Sequence, residues 1–218
     1  MAHQQSPFRT VGGDGGEGKR GSDRWVWFIT GPTACGKTTV AKYLADKLDL
    51  SFVEGDDFHP QANRDKMARN EPLTDEDRAA WLDALHERVV VSSTDGDGDG
   101  DGDTGTPPAP RLPHRVVTCS ALKRRYRDAL RGRDPVGGAP VRVRFVFLDV
   151  HEEVLRQRAR ERKGHFAGKG LVKSQMEALE RPGEDEEDVI IVKVENGKGV
   201  GETEREVLNR VMQQMGLE

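Results

Sequence analysis

Gly31-Pro32-Thr33-Ala34-Cys35-Gly36-Lys37-Thr38 is the stretch on which the fold turns. It follows an uninterrupted apolar run at residues 25–30 and leads into a segment where Val40, Ala41, Tyr43, Leu44 and Leu48 recur at helical spacing. The eight residues satisfy G-x-x-x-x-G-K-[ST] at every fixed position, in the strand–loop–helix setting where that pattern cradles phosphate. Glycines at 31 and 36 let the backbone curl so that its N–H groups point at phosphate oxygens, and the helix start adds partial positive charge. The reading therefore assigns Gly31, Thr33, Ala34, Cys35, Gly36, Lys37, Thr38 and the neighbouring Thr39 to a nucleoside triphosphate. Lys37 is expected to bridge the β- and γ-phosphates, and Thr38 to offer its hydroxyl to Mg²⁺.

Outward from this loop, apolar runs of strand length alternate with helical patterns, the mark of a parallel sheet covered by helices. Strands are expected at residues 25–30, 51–54, 115–119, 141–150 and 189–194. Thr74 and Asp77 resemble a capping box opening an amphipathic helix that buries Trp81, Leu82, Leu85 and Val89. Further helices are expected from about 121 to Gly132, and at 151–162, 171–180 and 202–215. The fold class is thus α/β, with five parallel strands in one domain over residues 24–218.

Two stretches stand outside this alternation. Residues 1–23, with Gly12-Gly13-Asp14-Gly15-Gly16, hold too little apolar surface to offset the entropy of ordering and read as a loose tail. Residues 92–113 alternate Asp and Gly before a run of prolines. Asp95, Asp97, Asp99 and Gly100 match the opening of a calcium loop, but Thr106 stands where a bidentate Glu is needed. A flexible insertion is the expectation.

Composition narrows the partners. With 34 Lys and Arg against 38 Asp and Glu, the formal charge is −4, so no overall positive field gathers nucleic acid or acidic lipid. No run approaches the ~20 apolar residues of a membrane span, and the N-terminus lacks the apolar stretch of a secretory leader. Cys35 and Cys119 make no paired framework, which suits a reducing, cytoplasmic setting, and both read as small buried fillers.

The acidic residues point to the acceptor. The third strand ends without an acid, Asp149 closes the fourth as a weaker candidate, and the second supplies Glu54, Asp56 and Asp57 together. Such a cluster after the second strand suits phosphoryl transfer onto a bound small molecule. Asp56 is expected to orient the attacking hydroxyl and take its proton, with Asp57 as the alternative base. Glu54, on the same side of an extended chain, is expected to hold the magnesium shell through water.

Seven segments in order carry a specific resemblance: GPTACGKTT (31–39), EGDDFHP (54–60), NRDKMARNEPLTDEDRAAWL (63–82), CSALKRRYRDALR (119–131), FLD (147–149), RKGHF (162–166) and LVKSQMEALERPGEDE (171–186). They resemble the gluconokinases among the shikimate-kinase-like P-loop kinases. The resemblance implies a P-loop kinase fold with a mobile lid at residues 163–170, and a homodimer. It also implies ATP-dependent phosphorylation of D-gluconate at its 6-hydroxyl, giving 6-phospho-D-gluconate and ADP. Rival readings are a kinase for another small hydroxy acid such as shikimate, and a nucleotide-binding regulator without turnover.

Gluconate is a polyol with one carboxylate, so its site needs cations for the acid end and donors and acceptors for the hydroxyls. In the matched motifs the cationic candidates are Lys66, Arg69, Lys123, Arg127 and His165, and the hydroxyl-binding candidates Asp56, Asp57, His59, Ser120 and Gln175. His59 is read as positioning substrate. Lys123, Arg127 and Arg131 are spaced four apart, so only some of them can face a site. By resemblance, Arg158 and Arg162 match lid arginines that reach the nucleotide and the transferring phosphoryl group, which makes Lys37, Asp56 and Arg162 the catalytic set.

Overall fold

In the computed structural model, the described residues are 24–69, 71, 73–91, 114–132, 140–161, 168–195 and 199–217. Five strands, β1 (Arg24–Thr30), β2 (Ser51–Glu54), β3 (Arg115–Thr118), β4 (Val141–Val150) and β5 (Val189–Val194), pair in the order β2-β3-β1-β4-β5. All four pairings are parallel, as the alternation predicts. The central β1 is buried on both faces, so it reads as a continuous apolar run rather than an alternating one.

One face of the sheet packs on α1 (Lys37–Leu48) and α7 (Val200–Met215) through Trp27, Ile29, Leu44, Val146, Leu148, Val207 and Val211. The other packs on α3 (Asp75–His86) and α4 (Arg124–Arg131) through Phe28, Phe145, Trp81, Leu85 and Leu130. The remaining helices are α2 (Gln61–Ala68), α5 (Glu152–Glu161) and α6 (Gly168–Glu177). Among the described residues, no helix is long and apolar enough to cross a membrane.

The expected capping box forms: Asp77 N donates to Thr74 Oγ1 at 3.2 Å, and Thr74 N to Asp77 Oδ2 at 2.8 Å. Three expectations change. The 3-10 turn Gly55–Phe58 and α2 carry no sequence signal, because α2 buries only Asn63 and so has no apolar stripe. Helix α4 starts at Arg124 rather than near 121, since Ala121 sits at φ 39 and Lys123 is extended, neither of which a helix can include. Helix α6 begins and ends three residues earlier than residues 171–180. The tail at 1–23, the insertion at 92–113 with its calcium-loop match, and most of the lid lie outside the described residues.

Candidate active site

The carboxyl ends of β1, β2 and β3 lie side by side, and the loops leaving them build one mouth. From β1 the phosphate loop turns at Gly31, φ 135, where a Cβ would lie 2.9 Å from Cys35 Sγ and 3.0 Å from the Leu148 carbonyl. Ala34 and Gly36 are also left-handed, at φ 63 and 105, and Gly36 has open space beside it. Lys37 Nζ donates to the carbonyls of Gly31 and Pro32, both at 3.0 Å, which folds the lysine over its own loop.

The acid absent from β3 comes from its neighbour. Glu54 and Thr118 are in register, and Thr118 Oγ1 donates to Glu54 Oε1. Thr38 Oγ1 donates to Glu54 Oε2 at 3.2 Å, so one carboxylate faces the first turn of α1 and the end of β3 together. Thr118 was not legible as a site residue: its partner is a strand neighbour, and strand order is not written in spacing. Asp149, the other acidic candidate, is paired with Arg181 at 3.2 Å.

Among the described residues no group of three His, Cys, Asp or Glu side chains could hold a metal on its own. Thr38 and Glu54 nonetheless present hard oxygens, the donors that Mg²⁺ takes alongside substrate phosphates and water. The residues fit that ion.

Asp56 stands in the mouth, 3.9 Å from His59 Nε2, with its side chain two-thirds exposed yet ringed by protein that thins its hydration. Loss of hydration pushes its carboxyl above the ordinary range; the Lys37 ammonium pulls it back, and Asp57 pushes it up again. Both Asp56 and Asp57 lie in the turn after β2, and the chain is pinned there at Gly55. Trp81 Nε1 donates to the Gly55 carbonyl at 2.8 Å and Gly55 N to Thr118 Oγ1 at 3.3 Å. His59 is buried and stacked on Trp81, with centroids 4.1 Å apart. Burial first, then the charges of Arg78 and Arg64, lowers its pKa to about 4, which makes it a neutral ring.

The other predicted residues divide. Arg158 Nη1 reaches the Cys35 carbonyl at 3.5 Å, which sets it against the phosphate loop. Gln175 also lies there, its Oε1 accepting from Thr33 N at 2.6 Å. Ser120 meets the loop through its backbone, its carbonyl accepting from Gly31 N at 3.2 Å. Lys66 pairs with Asp77 at 2.7 Å, Lys123 with Asp75 at 3.0 Å, and the exposed Arg69 with Glu71 at 2.7 Å. Thr39 is exposed on the first turn of α1. Arg162 and His165 lie outside the described residues.

Arg127 is a correction. Its side chain is fully buried: Nε and Nη2 grip Glu186 at 2.8 and 2.6 Å, and Nη1 donates to the carbonyls of Ala121 and Glu180. That leaves it no face toward a ligand, because helical spacing put it on the inner side of α4. Cys35 and Cys119 are free and buried, as expected, and burial above all pushes the Cys119 thiol up to about 12.

A family model described as Shikimate kinase matches residues 33–94. A probable gluconokinase of Schizosaccharomyces pombe is 39% identical over 185 residues, covering 83% of this chain and 86% of that protein. The chain belongs to the gluconokinase family. A gluconokinase of Gluconobacter oxydans is 41% identical over 160 residues, 72% of this chain and 76% of that protein. Among solved structures, a gluconokinase from Sinorhizobium meliloti superposes with a TM-score of 0.68 at 34% identity, covering 88% of this chain and 93% of that one. Gluconokinase kinship and the P-loop kinase architecture thus agree.

Proposed function

We propose that this chain transfers the γ-phosphoryl group of ATP to the 6-hydroxyl of D-gluconate, giving 6-phospho-D-gluconate and ADP, in the cytoplasm. The observation that carries the reading is the convergence of Lys37, the Thr38–Glu54 pair and Asp56 on one mouth in a chain of this family.

In this reading the amides at the start of α1, those of Gly36, Lys37 and Thr38, hold the phosphates, and Lys37 exchanges its loop carbonyls for β- and γ-phosphate oxygens. Thr38, and Glu54 through water, would hold Mg²⁺, which when bound would neutralise charge on those oxygens. Asp56 aligns the hydroxyl and takes its proton as the O6–Pγ bond forms and the bond from Pγ to the bridging oxygen of ADP breaks. Its raised pKa makes it a better proton acceptor than an ordinary carboxylate. Arg158, already against the loop, and Arg162 steady the transferring charge, and Gln175 holds the Thr33 amide in place. Asp57, His59, Ser120 and His165 bind the polyol, and Lys66, Arg69 and Lys123 turn to its carboxylate by giving up their present carboxylate partners.

An ADP-release assay over a panel of sugar acids, shikimate and nucleosides tests this. D-Gluconate is expected to be the preferred acceptor, with phosphate on its terminal carbon by mass spectrometry. Unmodified gluconate beside brisk phosphorylation of another acceptor would overturn the reading, and no release with any acceptor would favour a regulator.

A further inference from the structure

His59 and Asn63 sit together between the turn after β2 and α3, and both side chains are almost wholly buried, at 5% and 3% exposure. Asn63 Nδ2 donates to the Asp77 carbonyl at 2.8 Å and lies 3.3 Å from His59 Nδ1. A carbonyl only accepts, so the Asp77 contact sets which way the amide points. The second Nδ2 hydrogen then faces Nδ1, which must be the bare nitrogen of the ring. The ring proton is therefore on Nε2, and Nε2 is the atom that faces Asp56 Oδ1 across 3.9 Å. That gap is too long for a direct hydrogen bond and short enough for one hydroxyl oxygen to bridge, accepting from Nε2–H and donating to the carboxylate.

We propose that Asn63 is a positioning residue: it holds His59 in the neutral Nε2–H tautomer, so that the ring offers a donor beside Asp56 to one hydroxyl of the polyol acceptor. The inference rests on the kinase reading of this mouth and adds to it the residue that sets the histidine. Three charged groups act on the ring: Asp56 from its own turn, Arg64 from α2 and Arg78 from α3. The two arginines oppose an imidazolium, and so does Asn63, because a protonated Nδ1 would meet the amide donor to donor. Trp81, stacked on the ring, fixes its plane.

The full chain with ring-¹⁵N histidine tests the tautomer directly, His59→Gln identifying the signal among the six histidines. The expected result is a bare Nδ1 and a protonated Nε2 down to about pH 5.5, above the ring's own value near 4. Asn63→Ala is expected to raise the KM for gluconate about tenfold and leave the KM for ATP unchanged. In Asn63→Asp the new carboxylate accepts from Nδ1–H, so the gluconate KM gains a pH dependence near the ordinary histidine range that the unaltered chain lacks. The His59→Gln background separates positioning from mere structure, since a glutamine amide reaches the place of Nε2 and has no tautomer to set. There Asn63→Ala is expected to cost less than about twofold. A protonated Nδ1 in the unaltered chain, or an equal cost in both backgrounds, overturns the proposal. A chain idle on gluconate with ATP overturns the kinase reading and the hydroxyl assignment with it, while the nitrogen shifts still decide the tautomer.

Discussion

Glu54 is held by hydroxyls from two directions, Thr38 on the first turn of α1 and Thr118 at the end of β3. The residue after it has no freedom. A Cβ on Gly55 would lie 2.1 Å from the Thr118 carbonyl oxygen and 3.3 Å from Leu85 Cδ2, and both neighbours are core. Gly55→Ala must therefore push β2 from β3, at a cost of about 1–3 kcal/mol, seen as a lower urea midpoint, and it disturbs the Glu54 carboxylate as well. Asp56 next to it makes no such structural contribution, its side chain being two-thirds exposed. Asp56→Asn is expected to keep the fold and ATP binding and to lose about 10²–10⁴ in turnover; near-normal turnover would remove it as the base. Glu54, Asp56 and Asp57 were legible because they crowd the end of a strand. Thr118, Asn63 and Trp81 were not legible as site residues, because each acts through a partner remote in the chain or through burial.

At the scale of elements, α4 shows where periodicity misleads. Arg127 and Arg131, four residues apart, both turn to Glu186, and Arg131 also pairs with Asp188 at 2.7 Å. This cluster ties α4 to the segment between α6 and β5. The Glu186 carboxyl is pulled down to about 2, chiefly by its bonds to Arg127 and then by those to Arg131, against the opposing effect of burial. A carboxylate whose folded pKa lies below its unfolded value stabilises fully above the unfolded value, here 4.5, and the contribution fades as pH falls toward 2. The urea midpoint is therefore expected to drop between about pH 5 and about pH 2, and Glu186→Gln to flatten that slope. Arg127→Met leaves the buried Glu186 with Arg131 as its remaining cation and strips the Ala121 and Glu180 carbonyls of their guanidinium donor, and is expected to cost about 3–5 kcal/mol at neutral pH. In sequence a buried cation and a ligand cation look alike, and only packing distinguishes them.

Across the whole molecule, the strand order sets the carboxyl ends of β2, β3 and β1 next to one another, so segments distant in the chain share a single mouth. Ligand binding there reports on the entire fold. ATP with Mg²⁺ at a hundredfold excess over Kd is expected to add about 2.7 kcal/mol to stability, read as a rise in Tm, and Lys37→Ala to abolish the rise. The sequence by itself determined the α/β class, the five strands, the phosphate loop and the carboxylates after β2, because periodicity and short motifs are local and each is written in consecutive residues. Tertiary structure alone decided that Glu54 meets Thr38 and Thr118, that Arg127 faces inward to Glu186, and that Asn63 lies against His59. Those outcomes depend on which strands are neighbours and which helix face is covered, and both follow from burying the shared apolar surface of elements far apart in the chain.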